Sequence, residues 1–206
     1  MRGLQRAREE RPQIAMERNR YVLYPGTQSI MAGAAPKILN RPYSISAEVE
    51  IPREGAEGVL LSMGGYDGGI SFYVQDGKLC FVHNYVAVTY SDVKSKDPVP
   101  TGHHFLSLEF ELTGKPGFEK GKGSPGIVKL LVDGKETGRG ELAVTTPNRL
   151  AQGGAMLVGA DAGAPVTPTY QPPFHFTGAI KRVIVDVSGE HVEDYEAQMR
   201  IALAKQ

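Results

Sequence analysis

Hydrophobic and polar residues alternate most clearly over residues 41–85, and that stretch sets the reading of the whole chain. Ile45, Ala47, Val49 and Ile51 alternate with Ser46, Glu48 and Glu50, the period-2 signature of a strand with one buried face. Pro52 closes it. Val59-Leu60-Leu61 then leads into Gly64-Gly65-Tyr66-Asp67-Gly68-Gly69, whose glycines reach backbone conformations closed to other residues. A third run, residues 70–74, meets Asp76-Gly77, the favoured two-residue hairpin turn, and residues 79–85 return. The pattern predicts an antiparallel meander.

The remainder continues in the same style. Residues 1–20 are charged and lack a sustained apolar face, so they read as a tail or linker before one domain over 21–206. Tyr21 to Leu23 is β-prone, Pro25-Gly26 turns the chain, and Ile38-Leu39 is expected to pack beneath the sheet. Residues 86–93 are read as a continuing strand and residues 94–102 as a polar loop. Leu106, Leu108, Phe110 and Leu112 alternate with Ser107, Glu109 and Glu111, another half-buried strand. Residues 113–126 read as an exposed loop, and Val128, Leu130 and Val132 face the core. Asp133-Gly134 makes a second hairpin turn into residues 136–143. Short strands follow at 156–158 and 179–187, flanking a long loop, 160–173, with four prolines. Val192, Tyr195, Met199 and Leu203 recur at helical spacing, predicting a short C-terminal helix at about 190–204. Many short strands without alternating helices predict an all-β fold. The expectation is a two-sheet antiparallel jelly-roll sandwich of the concanavalin A or laminin-G kind.

Composition narrows the function more than the fold. Lys plus Arg and Asp plus Glu are both 23, so nothing electrostatic favours nucleic acid or an anionic membrane as partner. The single cysteine, Cys80, excludes an internal disulfide framework. No apolar run approaches the roughly 20 residues of a membrane-spanning helix, and the Arg-rich start lacks a signal-peptide core. Those features predict a cytoplasmic chain.

Several residue groups carry candidate chemistry. Glu109 and Glu111 share one strand face roughly 7 Å apart, a spacing compatible with acid/base work on a glycoside. Glu48 and Glu50 have equal claim. A solvated strand face is the simpler reading of both, since no third acid accompanies them and the chain has no Trp to hold a sugar ring. His103-His104 should point to opposite faces and so not share a metal. His83, His175 and His191 lack ligand-spaced companions. Cys80, among Leu79, Phe81 and Val82, reads as a buried inert thiol. The loop 64–69 lacks the Lys-Ser/Thr ending of a phosphate cradle. Asp161, between Gly159 and Gly163, and Asp67 are candidate calcium ligands at a sandwich rim. Tyr66, Tyr85, Tyr90 and Tyr170 are the candidate stacking residues for a sugar. No catalytic constellation assembles.

Ordered segments carry a more specific likeness. Tyr24-Pro25-Gly26-Thr27, the run from Ala35-Pro36 to Arg41-Pro42, and Ile45 to Pro52 resemble the C-terminal region of large bacterial arylsulfatases. So do Gly55 to Leu60, Tyr73-Val74-Gln75-Asp76-Gly77-Lys78-Leu79, and Pro172-Pro173-Phe174 through Phe176-Thr177-Gly178. The resemblance covers about residues 10 to 206. It implies a domain that follows a sulfatase catalytic domain, whose Cys or Ser in a C/S-x-P-x-R context becomes formylglycine. Cys80 is followed by Phe81, Val82, His83 and Asn84, so no catalytic residue of that family carries over. The expectation is a non-catalytic accessory domain packing on a sulfatase catalytic domain or on its own copies. The alternative is a free-standing carbohydrate-binding module, with calcium as a possible cofactor.

Overall fold

The computed structural model describes residues 18–192 except 28, 32, 149, 151–153 and 162. Its architecture is the antiparallel two-sheet sandwich that the alternation predicts. The strands are β1 (Arg20–Leu23), β2 (Ile30–Met31), β3 (Tyr43–Ile51), β4 (Gly58–Gly65), β5 (Gly68–Gln75) and β6 (Lys78–Tyr85). They continue as β7 (Thr89–Pro98), β8 (Gly102–Leu112), β9 (Gly126–Val132), β10 (Lys135–Leu142), β11 (Ala155–Val158) and β12 (Ala179–Asp186). One sheet has the order β1-β12-β3-β8-β9-β10 and the other β2-β11-β4-β5-β6-β7. The meander of β4 to β7 is thus one half of the sandwich, while β3 crosses to the other half.

The core lies between the sheets. Ile45, Ala47 and Val49 of β3 and Leu106, Leu108 and Phe110 of β8 point inward to meet Ile70, Phe72, Leu79 and Phe81. All are buried, and burial of such side chains contributes roughly 1.5–3 kcal/mol each for Val, Leu, Ile or Phe. Ile38 is buried in the same cluster and Leu39 packs against it, as expected.

Local turn chemistry holds where it is strongest. Asp76-Gly77 and Asp133-Gly134 both have positive φ at each residue (52° and 70°; 49° and 78°), the geometry of a tight hairpin whose twist matches its strands. At Gly58 (φ 117°), a Cβ would collide with the backbone of His175, so glycine there lets a later segment lie directly on β4.

Two expectations need correction. Residues 86–93 do not continue the preceding strand: Val86 and Ala87 have positive φ (47° and 57°) and turn the chain back into β7. No glycine marks that turn. It is held instead by Asn84, whose Oδ1 accepts the Ala87 N–H at 2.8 Å. Correspondingly, residues 94–98 are not loop but the second half of β7, where Cys80 pairs with Lys94 and Lys78 with Pro98. The predicted C-terminal helix falls largely on residues 193–206, outside the described residues.

Candidate functional site

The outer face of the sheet containing β3 and β8 is built directly by the period-2 pattern. With the apolar set turned inward, Ser44, Ser46, Glu48 and Glu50 turn outward, opposite Glu109, Ser107, Phe105 and His103 of β8. Ser46 and Ser107 meet hydroxyl to hydroxyl at 2.8 Å.

Glu48 is the centre of this face. His103 Nε2 donates to its Oε1 at 3.0 Å and Arg182 Nε to its Oε2 at 2.8 Å, with Lys181 Nζ 3.8 Å away. Two consecutive strand residues normally point to opposite faces. Here the register of β12 shifts between Ile180 and Arg182, and this bulge lets Lys181 and Arg182 both reach one carboxylate. The Glu48 side chain is only 15% exposed, whereas those of His103, Lys181 and Arg182 are 41%, 54% and 45% exposed. The hydrogen bond from His103, aided by the charges of Arg182 and Lys181, holds the Glu48 carboxyl below its ordinary range. The surface therefore presents cationic groups around a largely neutralised carboxylate.

Phe105 completes the face. It is 38% exposed, directly opposite Glu48, with the His103 ring edge-on at 5.5 Å. Its backbone is fixed because its N–H donates to Asp133 Oδ1 at 2.8 Å, across from the β9–β10 turn. Beside this cluster lies a cleft of ≈ 600 Å³ whose lining includes Glu50, Arg53, Thr101, Thr177 and Gly178. An aromatic ring, several donors and an adjoining depression suit binding of a polar ring molecule with an acidic group.

The two histidines do part. His103 serves Glu48, while His104 Nδ1 lies 2.6 Å from Asp133 Oδ2 and its Nε2 3.0 Å from the Thr101 carbonyl. Burial works against charge on His104, but these two acceptors outweigh it and raise its pKa. Glu109 and Glu111 share the outer face as predicted, and Glu111 is paired with Lys129 at 2.6 Å. Glu48 and Glu111 on this face are each engaged by cations.

The four tyrosines do not form one platform. Tyr170 is buried beneath its own loop, its hydroxyl donating to Asp161, and Tyr85 spends its hydroxyl on the Gly121 carbonyl at 2.8 Å. Tyr66 and Tyr90 remain exposed, at 67% and 37%. They sit on the β4–β5 and β6–β7 hairpins, which Asn84 ties together by donating to the Tyr66 carbonyl and accepting from Ala87. Val86 and Val88 are exposed on the same tip.

Asp161 is 1% exposed, and its Oδ2 accepts both the Val166 N–H and the Tyr170 hydroxyl. Both donors come from the loop that follows Asp161, so its carboxyl ties that loop down. Asp67 lies in the β4–β5 turn. Among the described residues, no group of three or more His, Cys, Asp or Glu could hold a metal. Cys80 is buried and burial pushes its thiol up to about 11. His83 is buried too, and its pKa falls to about 4 for the same reason.

Sequence reading missed Lys181, Arg182 and Phe105 as members of one cluster. The available signal was Lys181-Arg182 inside an otherwise apolar strand, where alternation should have allowed only one to face outward.

No protein-family profile matches the chain, and no curated protein does. Solved structures do. The chain is similar to the CBM40 of the Ruminococcus gnavus IT-sialidase bound to α2,3-sialyllactose, with TM-score 0.53, 15% identity and coverage of 89% of this chain and 96% of that one. The same CBM40 bound to α2,6-sialyllactose gives TM-score 0.50 at 12% identity, covering 87% and 95%. NanB with Optactamide gives TM-score 0.54 at 10% identity, covering 87% of this chain and 27% of that one. At such identities the likeness shows the fold alone. None of these findings supports an arylsulfatase origin.

Proposed function

We propose that this chain is a non-catalytic carbohydrate-binding domain whose site is the outer face around Glu48, Phe105 and Arg182, and that it takes acidic glycans. The observation that carries the reading is the cationic cluster on Glu48 set against the exposed Phe105 ring. Arg182 and Lys181 can accept a sugar carboxylate or sulfate, and the Phe105 ring can stack on the apolar face of a sugar. The sialyllactose bound in two complexes of one structural neighbour supports a sialylated ligand as the first to try.

Titration calorimetry with α2,3-sialyllactose and with lactose tests it, run with calcium and again with a chelator to expose any calcium dependence. The acidic sugar is expected to bind more tightly than lactose, and Phe105→Ala to weaken it by about tenfold. A glycan array with no acidic sugar bound would sink the proposal.

A second reading rests on the exposed apolar tip formed by Tyr66, Val86, Val88 and Tyr90. Such a patch suits packing against another domain, and the sequence resemblance names a sulfatase catalytic domain as that partner. On this reading the array is silent, and the chain co-purifies with such a domain unless Val88 is replaced by Lys.

A further inference from the structure

The outer face of the second sheet is closed by a strap, residues 163–177, which links β11 to β12. Val166, Tyr170 and Phe174 of the strap cover Val59, Tyr73, Cys80 and Val82 in an apolar cluster separate from the main core. The strap is pinned by polar contacts at several points. Asn84 Nδ2 donates to the Val166 carbonyl at 2.9 Å, Gln75 Nε2 to the Thr169 carbonyl at 3.0 Å, and the Tyr170 hydroxyl lies 2.8 Å from Ser71 Oγ. At its far end Thr177 N–H donates to the Glu57 carbonyl at 2.8 Å, and Thr177 and Gly178 line the cleft beside the Glu48 cluster.

One pin differs in kind. Asp161 is buried at the head of the strap, and among the described residues its carboxyl receives two donors, both neutral, the Val166 N–H and the Tyr170 hydroxyl. Among the described residues no Lys, Arg or His bonds or ion-pairs with it. Tyr170, which touches it, also meets Ser71 of β5 and shares its apolar cluster with Tyr73 of β5 and Cys80 of β6; Asp67 lies in the β4–β5 turn, where Gly65 faces Ala164 of the strap. The charged pair Asp92 and Lys94 lies further out on β7, opposite Val82 and Cys80. A buried carboxylate without a cation is disfavoured as the ion, because two neutral hydrogen bonds do not replace its hydration.

We infer that Asp161 makes the strap a pH-sensitive latch, closed most firmly when its carboxyl is protonated and loosened when it ionises. The sign follows from linkage. A carboxyl raised in the closed state contributes its full stability below the value it has when released. That contribution is lost as pH rises through the closed-state value. Burial does raise this carboxyl, against the lowering effect of Tyr170 and Val166. Opening at Asp161 frees a segment whose other end walls the cleft, so access there becomes pH-dependent. The inference stands whether or not the outer face of β3 and β8 binds a glycan.

Cys80 supplies the test, because it is the chain's single cysteine and shares the covered cluster with Val166 and Tyr170. Its rate of reaction with 4,4′-dithiodipyridine, divided by that of the unfolded chain at the same pH, reports strap opening. Between roughly pH 4 and pH 8 this ratio should rise by about tenfold for each unit by which closure lifts the carboxyl. Asp161→Asn should abolish the rise. A ratio that is flat in the native protein, or a slope that survives in Asp161→Asn, overturns the latch. Should that variant fail to fold, hydrogen exchange at the Val166 amide of the unaltered protein decides. Its protection, corrected for intrinsic exchange, must fall as pH rises; constant protection ends the idea.

Discussion

The two outer faces of the sandwich are made by similar strands and end in opposite states. On the β3–β8 face, Glu48, Glu109 and Ser46 stand outward and the residues between them are core. On the β4–β6 face nearly every position is buried, because a strap of loop replaces solvent. The first face is open to solvent, with Glu48 and Glu111 paired to cations. The second is a small core of its own, holding Tyr73, Tyr170 and Phe174 ring against ring at 4.8–6.4 Å. The difference teaches that a strand's outward side is polar only where nothing else comes to cover it. Continuous apolar runs such as those of β5 and β6 signal a cover elsewhere in the chain.

Substitutions can break or sharpen this contrast. The largest effect belongs to the covered face: Tyr73→Ala should cost about 3–5 kcal/mol in denaturant unfolding, as for other large aromatic truncations in a core. A loss below about 1 kcal/mol would mean that the strap is not a core.

Next comes the interior that both faces share. His83 is held neutral by burial, with a pKa of about 4. Its contribution is present above the unfolded value of ~6.5 and is lost as pH falls from there toward 4, up to about 3 kcal/mol. Unfolding measured across that window should show this loss, and His83→Gln should shrink it. The trend is opposite in sign to that of Asp161, so the two are separable.

The smallest effect is expected on the open face. Phe105→Ala should change stability by no more than about 0.5 kcal/mol while weakening glycan binding. A large stability loss there would show Phe105 to be packing rather than presenting a surface.

Much of this was legible residue by residue. Ile45 to Ile51 and Leu106 to Leu112 declare their strands and faces by alternation. Asp76-Gly77 and Asp133-Gly134 declare their turns because only a few residue pairs adopt positive φ twice. The Val86-Ala87 turn was not legible, since its cause is the Asn84 side chain rather than a glycine. Nor was the strap: four prolines marked residues 160–173 as loop, and nothing local says that a loop will lie across a sheet.

What the sequence by itself determined is most of the strands, β3 to β6 and β8 to β10 among them, and the inward and outward sides of β3 and β8. These follow from local steric preference and from a two-residue period, which neighbours alone impose. Only the tertiary structure decided that Lys181 and Arg182, some 134 positions from Glu48, would converge on it. Only it placed Asp161 as a buried acid under Tyr170. Such outcomes depend on which strands pair and which loop covers which face. Those choices are made by the total apolar area removed from water, and no short stretch of chain encodes that quantity.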